Sequence, residues 1–337
     1  MSNKPILVGI TQGDINGISY EVITKTLIDT RIAEMCTPLV YGSPKVASYH
    51  RKLIKNCPDF AFNMVRYPNQ AAAHKNNMLN VADGEIKVDI GESTEIAGEM
   101  SFVSLKTATA HILEKSIDVM VTAPINKHNI RFDAQAFPGH TEYLAKACNS
   151  ANYLMLMIAD NLRIGTVTTH CALSDVPSML SKELIVKKLR VLNNSLKNDF
   201  VCTAPKIAVL ALNPHAGDNA MFGKEEQNII VPAIETAFSQ GIYAFGPYAS
   251  DGFFGSGQYA NFDAVLAMYH DQAMIPFKIL SYGEGVNFTA GLPFVRTAPA
   301  HGTAYEIAGK GIASPDSFRK AIYTACDIYR NRTRNGE

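Results

Sequence analysis

Three histidines stand in one kind of place in this chain. His170 ends the run RIGTVTTH, His215 follows IAVLALNP, and His270 ends AVLAMYH, so each is expected to close an apolar strand. Ligands of open α/β sheets gather beyond the carboxyl ends of strands, and three strands that each deliver an imidazole there could converge on one point. Three neutral nitrogen ligands leave open positions for substrate oxygens, and suit a zinc-like divalent ion better than magnesium. Asp271 or Asp175 could orient the rings. Against this, the separations of 45 and 55 residues carry no local signature such as HExxH, and a lone strand-end histidine is more often a partly exposed polar residue. Cys171 is expected to point to the opposite face of its strand and join the core. His50, His74, His111 and His128 sit in polar or helical contexts and are read as structural.

A second set of residues suits an anion. Gly139-His140-Thr141-Glu142 opens a helical pattern just after Pro138, and a helix start offers free N–H groups. With the His140 imidazole and the Thr141 hydroxyl these would cradle a phosphate or carboxylate; the plainer alternative is an ordinary Thr N-cap. Lys278, Asn287 and Arg296 fall in KILSYGEGVNFTAGLPFVRT, a stretch that looks too irregular for one regular element. Irregular segments holding fixed cations are often sites, and Arg296 could grip an oxyanion bidentately, although an isolated Lys or Arg is more often a solvated residue. No GxGxxG follows the first strand, and 302–310 lacks the glycine spacing of a P-loop.

The elements that must carry these residues alternate. Strand-like runs lie at 6–10, 39–42, 117–122, 154–158, 163–169, 207–212 and 264–269, and helical patterns at 18–29, 102–115, 142–149, 183–196, 224–238 and 315–330. Ser314 and Pro315 sit as N-cap and first residue of the last helix. The alternation predicts an α/β protein with a largely parallel sheet. At ~150 residues per domain the 337 residues suggest two domains. No Pro-, Gly- or Ser-rich linker separates them, so residues 1–337 are expected to form one intimately joined unit of two subdomains, with the chain crossing between them.

Composition narrows the partners. Thirty-one basic residues balance thirty-one acidic ones, which argues against nucleic acid and against an anionic membrane surface. The hydrophobic share of 47% against a charged share of 18% suits strands buried on both faces or a surface partly covered by another subunit. Six scattered cysteines without a CxxC read as reduced thiols. The apolar stretch after the first residues is too short for a signal-peptide core and no run is long enough to span a bilayer, so the expected location is cytoplasmic.

With these residues in view, the chain resembles the 4-hydroxythreonine-4-phosphate dehydrogenase family of vitamin B6 biosynthesis. The likeness is carried by ITQGDINGISYEVI, VTAPINKHNI, FPGHTEYLA, TTHCALSDV, LNPHAGDNAMFGKEE, SDGFF, MYHDQ and GVNFTAGLPFVRT, in family order. A shorter likeness, HGTAYEIAGKGIASP at 301–315, is to the adenosine-binding loop of isopropylmalate and isocitrate dehydrogenases. Together these imply two α/β/α domains with largely parallel sheets in an isocitrate/isopropylmalate dehydrogenase-like fold, with the active site in the interdomain cleft. They imply that His170, His215 and His270 hold one divalent metal, zinc before cobalt or magnesium. His140, Thr141, Lys278, Asn287 and Arg296 would hold the phosphorylated substrate, and His301, Gly302, Thr303, Ala304, Ile307 and Gly309 the NAD or NADP, with Gly302, Gly309 and Gly311 allowing close backbone approach.

The implied reaction oxidises 4-phosphooxy-L-threonine and expels CO2, giving 3-amino-2-oxopropyl phosphate. Lys127, Asp251 and Lys278 are the candidates for the base, and a homodimer with the site at its interface is implied. A paralogue acting on 4-phospho-threonate or phospho-erythronate would keep all these residues; more distant alternatives are a three-histidine zinc hydrolase of a phosphorylated metabolite and a catalytically silent binding protein. The chain departs from the family pattern at Ile15, Asn16, Ser19, Tyr20, Ala123, Asp218, Ala220, Pro299 and Ala300, none of them an inferred metal or phosphate ligand.

Overall fold

The computed structural model describes residues 5–55, 57, 60–82, 84–132 and 135–335. The chain divides into two compact units, Met1–Asn149 with Pro293–Tyr329, and Ser150–Leu292 with Arg330–Glu337.

Unit 1 contains β1 (Ile6–Thr11), α1 (Ser19–Leu27), α2 (Thr30–Met35), β2 (Cys36–Gly42), α3 (Pro44–Leu53), β3 (Asn63–Val65) and β4 (Asn77–Asn80). It continues with α4 (Glu95–Leu113), β5 (Val119–Thr122), a small hairpin of β6 (Arg131–Phe132) and β7 (Gln135–Ala136), and α5 (His140–Ala147). Unit 2 contains β8 (Leu154–Ala159), β9 (Leu162–Thr166), α6 (Val176–Met179), α7 (Lys182–Asn198), β10 (Lys206–Leu210) and α8 (Val231–Ser239). After these come β11 (Tyr243–Tyr248), α9 (Ser250–Gly255), β12 (Ala264–Ala267), α10 (His270–Leu280) and β13 (Val286–Ala290). The chain then supplies β14 (Val295–Pro299) to unit 1 and ends in α11 (Asp316–Asn335).

The unit 1 strands lie in the order β14-β5-β1-β2-β4-β3, all parallel. Every residue of β1, β2 and β5 is buried, which is why these strands read as unbroken apolar runs. In unit 2 the order is β11-β10-β12-β9-β8-β13, parallel from β11 to β9 and antiparallel at β8 and β13. Helix α7 covers part of this core with Ile185, Leu189, Leu192 and Leu196, one face at helical spacing. Its start is set by Ser181, whose hydroxyl accepts the Leu184 N–H at 3.1 Å.

Several expectations need correction. The stretch 278–297 is not irregular: it holds the end of α10, then β13 and β14. Gly283 and Gly291, both at φ 86°, make turns between short regular pieces, and that punctuation mimics a loop. Strand β9 stops at Thr166 and β12 at Ala267, so His170 lies beyond its strand and His270 opens a helix instead of closing a strand. The helix expected over 224–238 is a π-helical turn at Glu226–Ile230 followed by α8. Strand β11 was not anticipated, because its side chains are largely exposed or half-buried and give no apolar run.

Candidate active site

In unit 2 the strands leading to the three histidines are neighbours, β10-β12-β9, and parallel, so all three imidazoles are delivered to one edge of the sheet. The exits of β9 and β12 stay bonded past their ends: the Val167 N–H donates to the Ala267 carbonyl at 2.8 Å and the Thr168 N–H to Met268 at 3.1 Å. The His170 and His270 rings consequently lie 6.0 Å apart, centre to centre. The Asp271 carboxylate accepts a hydrogen bond from His270 Nδ1 at 2.7 Å, a contact that would leave Nε2 to face a ligand. Both rings line a cavity of about 490 Å³ together with Thr169, Cys171, Tyr269 and Asp271. Cys171 is therefore half-buried at the cavity wall and not in the core, since the strand that would have turned it inward has already ended.

His215 reaches the same edge differently. It sits in the turn Pro214–Gly217 with φ 52°, the first of six consecutive residues in the left-handed region through Ala220. Its ring packs on Phe222 at 6.3 Å and does not line the cavity. Among the described residues no group of three His, Cys, Asp or Glu side chains is gathered closely enough to hold an ion. Donor type and strand order fit a divalent metal; of the three predicted ligands, the pair His170–His270 is the part brought together. Asp251 is exposed in α9, whose Ser250 accepts a hydrogen bond from the Gln272 amide of α10 at 2.7 Å. Lys278 is exposed in the last turn of α10, and Asn287 on β13 has a buried Oδ1 without a partner.

The anion set in unit 1 is built round the first turn of α5. Gly139 is its N-cap, at φ 121°, so Thr141 lies inside the turn and is not the cap. A Cβ on Gly139 would lie 2.9 Å from both Lys127 Nζ and Glu142 Oε2, which places the Lys127 ammonium against the turn. Arg296, on β14 and only 2% exposed, donates to the Thr122 hydroxyl from Nε at 3.1 Å and from Nη2 at 2.6 Å. Burial lowers its pKa to about 10, against the opposing charge of Glu142, so it remains a cation at neutral pH. Burial, with Arg296 and Lys127 close by, holds His140 well below the usual histidine value, and its Nε2 is buried without a partner. Two cations, a helix start and a neutral imidazole with a spare nitrogen have the chemistry that suits a phosphate.

The segment 301–311, also in unit 1, presents His301 with a buried Nε2 that lacks a partner, and Gly302 facing open space. Ala304 is left-handed at φ 44°, and a short 3-10 turn covers Tyr305–Ile307. Gly309 and Gly311 lie at φ 74° and 70°, and Cβ atoms there would meet Ile90 and the Leu53 carbonyl. Their close approach is to the chain itself; only Gly302 leaves its approach free for a ligand. An open glycine and an orphaned imidazole fit a dinucleotide lying along this segment.

The departures near the start of the chain are internal packing. The Tyr20 hydroxyl bonds Gln12 at 2.5 Å, its ring stacks on His50 at 5.3 Å, and burial raises its pKa. His50 donates to the Ile15 carbonyl at 2.7 Å, and the Ser19 hydroxyl to Pro124 at 3.1 Å.

Comparison with known proteins gives a consistent picture. Residues 34–325 match the family model described as pyridoxal phosphate biosynthetic protein PdxA. The chain is 50% identical over 335 residues to a 4-hydroxythreonine-4-phosphate dehydrogenase of Bacteroides thetaiotaomicron, covering 99% of this chain and 92% of that one. It is 34% identical to a D-threonate 4-phosphate dehydrogenase of Cupriavidus necator, covering 98% and 100%. The crystal structure of 4-hydroxythreonine-4-phosphate dehydrogenase from Klebsiella pneumoniae superposes with a TM-score of 0.80 at 33% identity, covering 96% of this chain and 99% of that one. An isocitrate dehydrogenase from Methylococcus capsulatus shares the fold, at TM-score 0.50 and 12% identity, covering 96% and 88%.

Proposed function

We propose that this chain, which belongs to the family of pyridoxal phosphate biosynthetic protein PdxA, oxidises and decarboxylates 4-phosphooxy-L-threonine to 3-amino-2-oxopropyl phosphate and CO2. The observation that carries the reading is the 50% identity, over nearly the whole chain, to a 4-hydroxythreonine-4-phosphate dehydrogenase. An oxidoreductase of this family uses a nicotinamide cofactor and a divalent metal; the specific choices proposed here are NAD and zinc.

Each site residue has a job in this reading. Arg296 and Lys127 neutralise the substrate phosphate at the first turn of α5, while His140 and Thr141 hydrogen-bond its oxygens; Lys278 and Asn287 are proposed as further substrate ligands. Binding energy spent on the phosphate, remote from the reacting carbons, orients the C3–H bond for transfer. His170, His215 and His270 would hold the ion, with Asp271 fixing the His270 tautomer. When bound, a divalent ion would supply positive charge beside the substrate oxygens, and a nicotinamide would supply the hydride acceptor. Lys127, Asp251 and Lys278 are the candidates to take the hydroxyl proton. The residues His301–Gly309 would hold the cofactor.

The chain is proposed to act as a homodimer with the active site at the subunit interface. Supporting this, Ile275, Ile279 and Tyr282 stand exposed beside Lys278 at and just past α10. A cytoplasmic location accompanies the reading: the six cysteines are unpaired, and no described helix is long and apolar enough to cross a membrane.

The relative named D-threonate 4-phosphate dehydrogenase favours one second reading, in which a hydroxyl replaces the substrate amine. Reduction of NAD should be followed with each substrate, using metal-stripped enzyme supplied with zinc, cobalt or magnesium. Metal-dependent turnover of phosphooxy-threonine is expected; turnover of phospho-threonate alone would overturn the first reading in favour of the second.

A further inference from the structure

We propose that the hydrogen bond from Tyr305 to Asp14 is a latch that sets the cofactor segment, making Tyr305 a positioning residue for dinucleotide binding. The proposal rests on the reading that His301–Ser314 receives the cofactor. Asp14 is fully buried, and its carboxylate accepts three hydrogen bonds: from the Asn16 N–H at 2.9 Å, the Asn129 amide at 3.0 Å and the Tyr305 hydroxyl at 2.7 Å. Three donors converge on this one buried side chain, so removing the Tyr305 hydroxyl would leave one of its oxygens short of a partner. Burial, with Asp14 as acceptor adding to it, pushes the Tyr305 pKa up to about 12, so the phenol keeps its proton.

The frame behind Asp14 is closely packed and hydrogen-bonded. Gly98 of α4 lies so close to the Asn129 backbone that a Cβ there would overlap its carbonyl, and this contact sets Asn129. The Asn16 side chain spans to the Glu92 carbonyl at 2.9 Å, the Thr94 hydroxyl at 3.0 Å and the Asp89 N–H at 2.9 Å. On this frame the cofactor segment is held at both ends. The Thr303 carbonyl accepts from the Ile18 N–H at 3.0 Å, with no room for a Cβ on Gly17 between them. Lys25 donates to the Gly311 and Ala313 carbonyls at 3.0 and 2.7 Å. Between these ends lies Ala304 at φ 44°, a conformation an alanine holds only when its surroundings impose it. Tyr305 is the next residue, and its hydroxyl, which also accepts from the Asn126 amide at 3.3 Å, ties the far side of this turn to Asp14.

Two variants separate the latch from the reading on which it rests. Tyr305→Phe removes only the hydroxyl and is expected to raise the KM and calorimetric Kd for NAD about ten-fold, with kcat and the KM of the phosphorylated substrate changed less than about two-fold. Gly302 faces open space, so Gly302→Val costs no packing, yet its side chain would block a cofactor lying there. Weakened NAD binding in Gly302→Val with no change in Tyr305→Phe would overturn the latch alone. Unchanged NAD binding in Gly302→Val would overturn the cofactor reading and the latch with it. Weakening in both supports the latch, and in the Asp14→Asn, Tyr305→Phe double variant the losses should then be less than additive.

Discussion

His170 and His270 are held 6.0 Å apart because backbone bonds between Val167 and Ala267 and between Thr168 and Met268 carry the ladder of β9 and β12 past the ends of both strands. The pair is thus preformed by the sheet, whereas His215 arrives on a left-handed turn. His270→Ala should lower bound zinc to well below one per chain, because two remaining imidazoles make a much weaker site. The His270 side chain is 41% exposed, so the melting temperature of the metal-stripped protein should hardly move. Metal analysis and calorimetry of the stripped protein check both parts, and an undiminished zinc content would remove His270 from the ligand set.

The turn carrying His215 is anchored by a carboxylate that sequence reasoning passed over. Glu226, 3% exposed in the π-helical turn, accepts from the Leu212 and Asn213 N–H groups at 2.9 and 2.8 Å through Oε1 and from the Asn213 amide at 3.0 Å through Oε2. Glu226→Gln sets an NH2 group against one of these donors. Stability should fall by about 1–3 kcal/mol, the cost of buried groups left unpaired. Metal affinity should fall about ten- to a hundred-fold as His215 loses its support, as is typical when a group behind a ligand is removed. A cobalt titration followed by absorbance reads the affinity, and wild-type affinity in this variant would show that the turn does not need Glu226.

What the residue pattern reveals follows from the range of the interactions involved. The buried runs of β1 and β5 and the amphipathic spacing of α7 are local, and so legible. The neighbourhood of β9 and β12 depends on pairing Thr166 with Ala267, about a hundred residues along the chain, and periodicity carries no trace of it. The alternation of β13 and β14 was hidden because Gly283 and Gly291, one ahead of each strand, look like the composition of a loop. Asn16 reads as a departure from the family pattern, yet its side chain joins three points of the 89–94 segment. The Tyr305–Asp14 bond spans 291 positions and leaves no local signal.

Arg296 offers a test of the phosphate anchor. Both Nε and Nη2 are spent on Thr122, which fixes the guanidinium plane. Arg296→Lys keeps the charge but cannot keep both contacts. The KM for the phosphorylated substrate should rise about ten- to a hundred-fold with the NAD KM unchanged. Steady-state kinetics with each substrate varied in turn decide it, and an unchanged substrate KM would take Arg296 out of the anchor.

Acidification should destabilise the fold through its buried histidines. Burial lowers the pKa of His50, His140 and His301 below the ordinary value of 6.5, with Arg296 and Lys127 adding to the effect at His140. Below that value the unfolded chain binds protons that the folded chain refuses, so stability is fully present above about pH 6.5 and is lost as pH falls towards the lowered values. The melting temperature should fall as pH is taken from about 8 to about 5, after allowance for carboxylates that titrate lower. His140→Asn removes the group with two cations beside it and should flatten this slope while leaving the midpoint near pH 8 little changed. Saturating phosphate should flatten it as well in the wild type, since an anion at the α5 turn offsets the charge of Arg296 and Lys127 and lets His140 keep a proton. A slope unaffected by both the variant and the anion would place the acid sensitivity in the other histidines and would count against His140 as part of the phosphate receptor.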